Sequence, residues 1–352
     1  MEEKIIKYLL IINLVFISLI LFTKVTILYK LMKILIKAVI SPLLISVFFY
    51  YLIRPLNEVF KKKGLKSSVT SALTLTIWIF ILSGIFFYFT QLITPELNGL
   101  INEFKNIGEK NSHINKALDQ VGKYIDISNI YKMFMESVNK YMQNIVQNLY
   151  KGFKYIMDSF SKLLLILITI FYLLKDGDKF KNGFINLFPY KYKNIVSSIL
   201  EESHVVLSRY VIGQSKVAFS LSIMIYIGYR IIHMPNALLF SVITFILAFI
   251  PYIGFFISMI IPTIIAISTG FTMLIKLGIT FLIVQTLKGR IVVPAIMGYT
   301  MDIHPLTDIF LVIGAVAFGG PLAAFVIVPI YGILKIFIST IYRYVIKERL
   351  SK

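Results

Sequence analysis

Apolar runs of about twenty residues recur along this chain, and two of them are broken in mid-run by proline and glycine. A helix needs about 20 mostly apolar residues to cross a hydrocarbon layer of about 30 Å, and inside lipid every backbone N–H and C=O must find its partner within the protein. Repeated runs of that length confine the chain to an all-α, polytopic integral membrane protein. The composition agrees, because 58% of the 352 residues are apolar and 15% charged, too little polar surface to coat a soluble globule of this size.

The uninterrupted runs fall at 8–23, 34–53, 69–93, 157–174, 210–232 and 271–288. Two further segments differ: 237–250 and 254–269 flank Pro251-Tyr252-Ile253-Gly254, and 306–318 and 322–340 flank Gly319-Gly320-Pro321. At about 1.5 Å rise per residue the halves of the first pair fall short of a bilayer, and neither half of the second is a dependable span. The pattern predicts about six full transmembrane helices plus two Pro/Gly-broken re-entrant hairpins, 237–269 and 306–340. Two kinked full spans packed by small residues would leave the same signature.

The chain then divides into N-terminal transmembrane helices over 1–94, an amphipathic extramembrane helical region over 95–156 and a transmembrane transport core over 157–352. Within 95–155, Leu97, Leu100, Ile101, Phe104 and Ile107 recur at helical spacing, as do Ile130, Phe134, Val138, Tyr141 and Ile145. Such helices pack on one another or on the membrane surface, or form a cap that assembles an oligomer or gates an exit.

The formal net charge of +19 does not point to nucleic acid, since the basic residues sit between apolar runs and not along one polar face; that is a topology signal. Loop 54–66 carries five basic residues against Glu58, the tail from Lys335 five against Glu348, and loop 175–209 six against four acids. With both broken segments re-entrant, these basic regions and both termini fall on the cytoplasmic side of the cell membrane. Lys24 and Lys30, in a short outer loop without an acid, run against that assignment. The N-terminal run lacks a small-residue cleavage site and reads as a retained span.

Absent motifs narrow the chemistry. There is no phosphate-binding G-x-x-x-x-G-K-[ST] loop, no H-E-x-x-H and no G-x-S-x-G, so the chain is expected to be no enzyme and to carry no ATP engine or cofactor. Without cysteine, and with four scattered histidines, no metal site is expected. Polar groups inside apolar runs are costly and so are functional candidates. Gln214 and Gln285 qualify, either as solute ligands or as interhelical glue, whereas Lys276, near the start of its run, is expected to snorkel to the interface.

Breaks at membrane depth must be buried or line a wet cavity, so Pro251, Gly254, Gly319, Gly320 and Pro321 are placed with the two glutamines on a transport path. If protons or sodium drive transport, Asp302, His304 or Asp308 should carry them; alternatively Asp302 caps the start of a helix in a cytoplasmic loop.

Four pieces of sequence resemble one family in its own order. They are Phe171 to Asp178; Tyr210 to Gln214; Phe249-Ile250-Pro251-Tyr252-Ile253-Gly254 with Pro262; and Val293-Pro294 through Gly298 to His304-Pro305, followed by Gly319-Gly320-Pro321 and Pro329. The chain is identified as resembling the autoinducer-2 exporter family, also called PerM-like permeases. The resemblance implies a homo-oligomeric cytoplasmic-membrane permease without ATPase activity, associated with export of a quorum-sensing furanone or with sodium (lithium)/proton antiport. It implicates Gln214, Pro251, Gly254, Pro294, Gly298, His304 and Pro305. Phe255 departs from it, standing where the family often has proline.

The function expected is therefore a secondary transporter moving a small polar solute, such as a quorum-sensing signal. An antiporter exchanging a monovalent cation for protons is the alternative on the same fold. A non-transporting membrane scaffold, with 95–155 as its interaction module, is the alternative from another class.

Overall fold

The computed structural model describes residues 34–109, 160–298 and 303–347, together with 6, 9, 11–18, 30 and 31. The described residues are helical almost throughout and contain no strand. Five helices among them are long and apolar enough to cross a membrane: Ala38–Lys62, Ser67–Ile85, Tyr190–Ile231, Phe271–Met297 and Ala323–Tyr344. The protein is an all-α, multi-pass membrane protein. Of the expected first span 11–18 is helical, and most of the expected extramembrane region, 110–156, lies outside the described residues.

A π-turn at Ile36–Ile40 leads into α1 (Ser41–Lys62), followed by α2 (Ser67–Glu109), α3 (Phe160–Asn186) and α4 (Tyr190–Ile231). The short helices α5 (Ala237–Leu247) and α6 (Ile253–Thr269) come next. Helix α7 (Phe271–Leu287) runs through a π-turn, Lys288–Val292, into α8 (Val293–Met297), and α9 (Pro305–Ile341) closes the order.

Helices α1, α2 and α3 pack around Ile53, Ile170, Leu174 and Trp78. Lipid is as apolar as these side chains, so close packing and interhelical hydrogen bonds do much of the holding. Buried Asn57 donates to the Leu174 carbonyl (3.4 Å) and accepts from Thr74 Oγ1 (3.3 Å), and Ser46 Oγ reaches the Ile166 carbonyl (3.3 Å). Lys61 Nζ donates to Leu174 O, Ser67 Oγ to Lys175 O, and Lys181 pairs with Glu201. The basic stretches 54–66 and 175–209 thus meet at one end of the bundle. Helix α3 kinks nearby, at Asp176 (φ −121°, ψ 15°), where its apolar run ends.

Helices α4 to α7 share a second core, centred on Leu221, Ile225, Tyr229, Phe240, Phe255 and Leu277. At Gly228 a Cβ would lie 2.5 Å from Thr280 Cγ2, so α4 and α7 meet where α4 has no side chain. Helix α2 is continuous through Pro95 and, at 43 residues, is about 65 Å long. Its Glu96 Oε2 accepts from the Leu239 backbone N–H (2.6 Å). That carboxylate satisfies an N-terminal donor of α5 which the N-cap residue, Asn236, leaves unserved.

The first break separates α5 from α6, two helices packed on each other. Its backbone closes on itself: Ile250 N donates to Leu247 O, Gly254 N to Ile250 O and Ile253 N to Pro251 O, as apolar surroundings demand. The second break lies inside α9 at Gly320 (φ 70°, ψ −161°). Here the structure departs from expectation, because beyond Gly320 the chain stays helical past Pro329, and Ala323–Tyr344 is long enough to span. Pro321 falls at the first position after the break, where a missing N–H is tolerated. The two breaks are tied by aromatic contacts: Phe249 meets Phe325 at 5.8 Å, and both meet Phe48 of α1 at 5.5 and 4.9 Å.

Candidate functional site

Helix α4 carries Tyr210, Gln214 and Val217 at i, i+4 and i+7, one face of a helix. The first break, the α7–α8 junction and the start of α9 close around that face and leave a cavity of about 410 Å³. Its polar wall is made by Tyr210, Gln214, Tyr252, Gln285, Lys288 and Asp308.

Gln214 holds the break in place. Its Nε2 donates to the Ala248 carbonyl at 2.6 Å, and the side chain is buried. That carbonyl lies at the C-terminal end of α5, where carbonyls lose their helical donors. Gln214→Leu is expected to lower stability by about 1–3 kcal/mol, the cost of stranding a buried acceptor. Thermal unfolding in detergent reads this, and an unchanged midpoint would show the bond to be idle.

Tyr252 has φ 58°, ψ −59°, and with the Ile253 N–H donating to Pro251 O at 2.6 Å it centres a positive-φ γ-turn, a rare and strained conformation. Strain of about 1–3 kcal/mol persists only where the surroundings enforce it. The turn sets the Tyr252 side chain on the cavity wall, which Asp308 shares.

Among the described residues six buried side-chain atoms lack a hydrogen-bond partner, and three of them belong to residues that line this one cavity: Tyr210 Oη, Gln285 Oε1 and Asp308 Oδ1. An unpaired buried polar group is costly. Three on the residues of one wall leave that wall with unmet hydrogen-bonding capacity. Lys288 adds a cation, its Nζ 5.4 Å from the centroid of the Phe255 ring, which stacks on Phe281 at 5.0 Å with 7° between planes. Phe255 therefore seats the lysine from behind and does not line the cavity.

Of the residues singled out from sequence, Gln214, Pro251, Gln285, Gly298 and Asp308 come together on this wall. Gly254, Gly319, Gly320 and Pro321 do not, and their part is in the backbone. A Cβ on Gly254 would collide with the Leu247 carbonyl, 2.6 Å from its carbon, and one on Gly319 would lie 2.6 Å from Ala323 Cβ. Pro294 lies near the start of α8, and Pro305 is the first residue of α9. His304 is exposed, and its Nδ1 accepts from the Leu306 backbone N–H (3.3 Å). It caps α9, the role considered for Asp302, which lies outside the described residues.

Sequence reasoning missed Tyr210, Tyr252 and Lys288 as wall residues. The i, i+4 spacing of Tyr210 and Gln214 was a usable signal for the first. Lys288, at the end of an apolar run, looks like any interfacial lysine.

A model of the family described as "AI-2E family transporter" matches residues 10–343. "Putative transport protein YueF" of Bacillus subtilis is 27% identical over 345 residues, covering 94% of this chain and 92% of its own. "Putative transport protein MJ1177" of Methanocaldococcus jannaschii is 28% identical over 228 residues, 61% of this chain and 63% of its own. "Putative transport protein YhhT" of Escherichia coli K12 is 21% identical over 319 residues, 86% and 84%.

Proposed function

The chain belongs to the AI-2E transporter family, and on that premise we propose that it is a secondary permease of the cytoplasmic membrane whose solute passes through the cavity beside Gln214. The carrying observation is that three buried, unpartnered atoms, Tyr210 Oη, Gln285 Oε1 and Asp308 Oδ1, belong to residues lining one cavity of about 410 Å³. Two acceptors and a hydroxyl suit a small solute with several O–H or N–H donors, a class that includes hydroxylated quorum-sensing signals. The two breaks support the reading, since interrupted helices in lipid belong where they line a wet path, and in this reading 237–269 enters the membrane as a hairpin while α9 continues from its break as a span. Assembly into a homo-oligomer is part of the proposal.

Gln285→Leu tests it. Removing a stranded acceptor should leave stability unchanged or raise it by about 1 kcal/mol, while flux of a hydroxylated solute into proteoliposomes should fall about tenfold, the loss of one solute hydrogen bond. Equal flux in variant and wild type would remove this wall from the path.

A second reading is exchange of a monovalent cation for protons. It is favoured by Asp308, a carboxylate on the cavity wall with one oxygen unpartnered, and by the unpartnered amide oxygen of Gln285 on the same wall; oxygen donors suit hard cations. Flux of neither sodium nor hydroxylated solutes would favour a scaffold.

A further inference from the structure

A separate cleft of about 310 Å³ opens between α1 and α4 at the basic end of the bundle, lined chiefly by Arg54, Glu58, His204, Ser208 and Arg209. It shares no residue with the cavity beside Gln214. Its charges are unevenly matched. Glu58, its one acid, is already taken by Arg54, whose Nε lies 2.7 Å from Oε1. Arg209 is exposed and has no ion-pair partner among the described residues. From α3, Lys181 and Asp178 act on His204 with opposite signs.

The Nδ1 side of the histidine is occupied. Its Nδ1 faces Tyr51 Oη at 2.9 Å and Arg54 Nη1 at 3.4 Å. Since the guanidinium can only donate, Nδ1 accepts and the ring proton resides on Nε2. The cleft thus gathers two guanidinium groups, an imidazole N–H and the Ser208 hydroxyl, against a single carboxylate that is already paired.

We propose that this cleft binds a phosphate-class anion, supplied either by the headgroup of an anionic phospholipid or by free phosphate. Guanidinium groups match phosphate oxygens two at a time, and a tetrahedral oxyanion offers acceptors in enough directions for donors on two helices, which a planar carboxylate does not. The volume exceeds that of a bare phosphate, and Pro55 and the exposed Val205 give the cleft an apolar margin on which a glycerol backbone can rest. Its place, at the end where Lys61, Lys175 and Lys181 also gather, is where anionic headgroups are drawn to basic side chains.

The test is native mass spectrometry of the full chain purified in detergent. Dioleoyl phosphatidylglycerol is compared with dioleoylglycerol, which lacks the phosphate, in wild type and in Arg209→Gln and Arg54→Gln. Retention of the phospholipid over the diacylglycerol, weakened about tenfold or more in Arg209→Gln by loss of charge-assisted hydrogen bonds, is the expected result. If instead inorganic phosphate alone raises the melting temperature of wild type but not of Arg209→Gln, the anion is free phosphate. Arg209 is exposed, so its variant keeps the fold, whereas Arg54→Gln also unpairs Glu58. Arg209→Gln indistinguishable from wild type toward both phospholipid and phosphate overturns the proposal, even if Arg54→Gln weakens binding.

Discussion

Gly254→Ala is expected to yield little folded protein, with a loss of at least about 3 kcal/mol. The added Cβ would meet the Leu247 main-chain carbonyl, not a side chain that could turn away. Nor can the backbone yield cheaply. Gly254 N–H is bonded to Ile250 O, and the Ala248 carbonyl one residue past Leu247 is held by Gln214. Moving Leu247 would cost the Ile250 N–H its acceptor in an apolar setting. Gly278→Ala in α7, where nothing lies within 4 Å of the new methyl, is the matched control. It should be neutral or gain up to about 1 kcal/mol of helix propensity. Fluorescence-detected size exclusion and thermal midpoints of the two variants decide, and equal behaviour would mean that the break tolerates more room than its geometry shows.

Asp308→Asn should abolish proton-coupled flux at every pH, a loss of at least about a hundredfold, if the carboxylate is a coupling group, because such a group must exist in two charge states and an amide has one. If the cavity carries an uncharged solute with no coupled ion, asparagine keeps an acceptor in the same place and flux should drop only about tenfold. The loss is then independent of any pH gradient. Folding is not expected to distinguish the cases, since asparagine matches aspartate in size and keeps an acceptor oxygen. Sodium and solute flux in proteoliposomes, with and without a pH gradient, separates them, and a variant with wild-type flux of both would remove Asp308 from the path.

The places where the helices fail were legible because the residues that break helices are few. Pro251 with Gly254, and Gly319-Gly320-Pro321, marked both interruptions, and the structure puts them at residues 248–252 and at Gly320. The course of the chain beyond each break was harder to read. The Gly319-Gly320-Pro321 break suggested a short second half, yet proline is tolerated after a break and within a well-packed membrane helix, and α9 runs on past Pro329.

Gln214, Gln285 and Asp308 stood out because polar groups in apolar runs are rare, and they share one cavity. That Gln214 would be spent on a main-chain carbonyl while Gln285 stays unpartnered depends on how α4, α5 and α7 pack, which local periodicity does not encode. Tyr252 escaped notice for a related reason. Its place on the wall follows from a positive φ that tyrosine seldom adopts, so no residue preference announces it. Phe255 signalled a departure from the family pattern, and packing gave it a role as a platform for Lys288.

Helix α2 can also be regarded mechanically. It is held near one end by the Thr70–Thr74–Asn57 contacts and again at Glu96, and it stays helical as far as Glu109. Glu96 is therefore a tie partway along the helix, with thirteen helical residues, 97–109, beyond it. A displacement of α2 at that tie bears on the first turn of α5 through the carboxylate. Eleven residues after its first, α5 gives way to the carbonyl held by Gln214, so one short helix links the tie on α2 to the cavity wall.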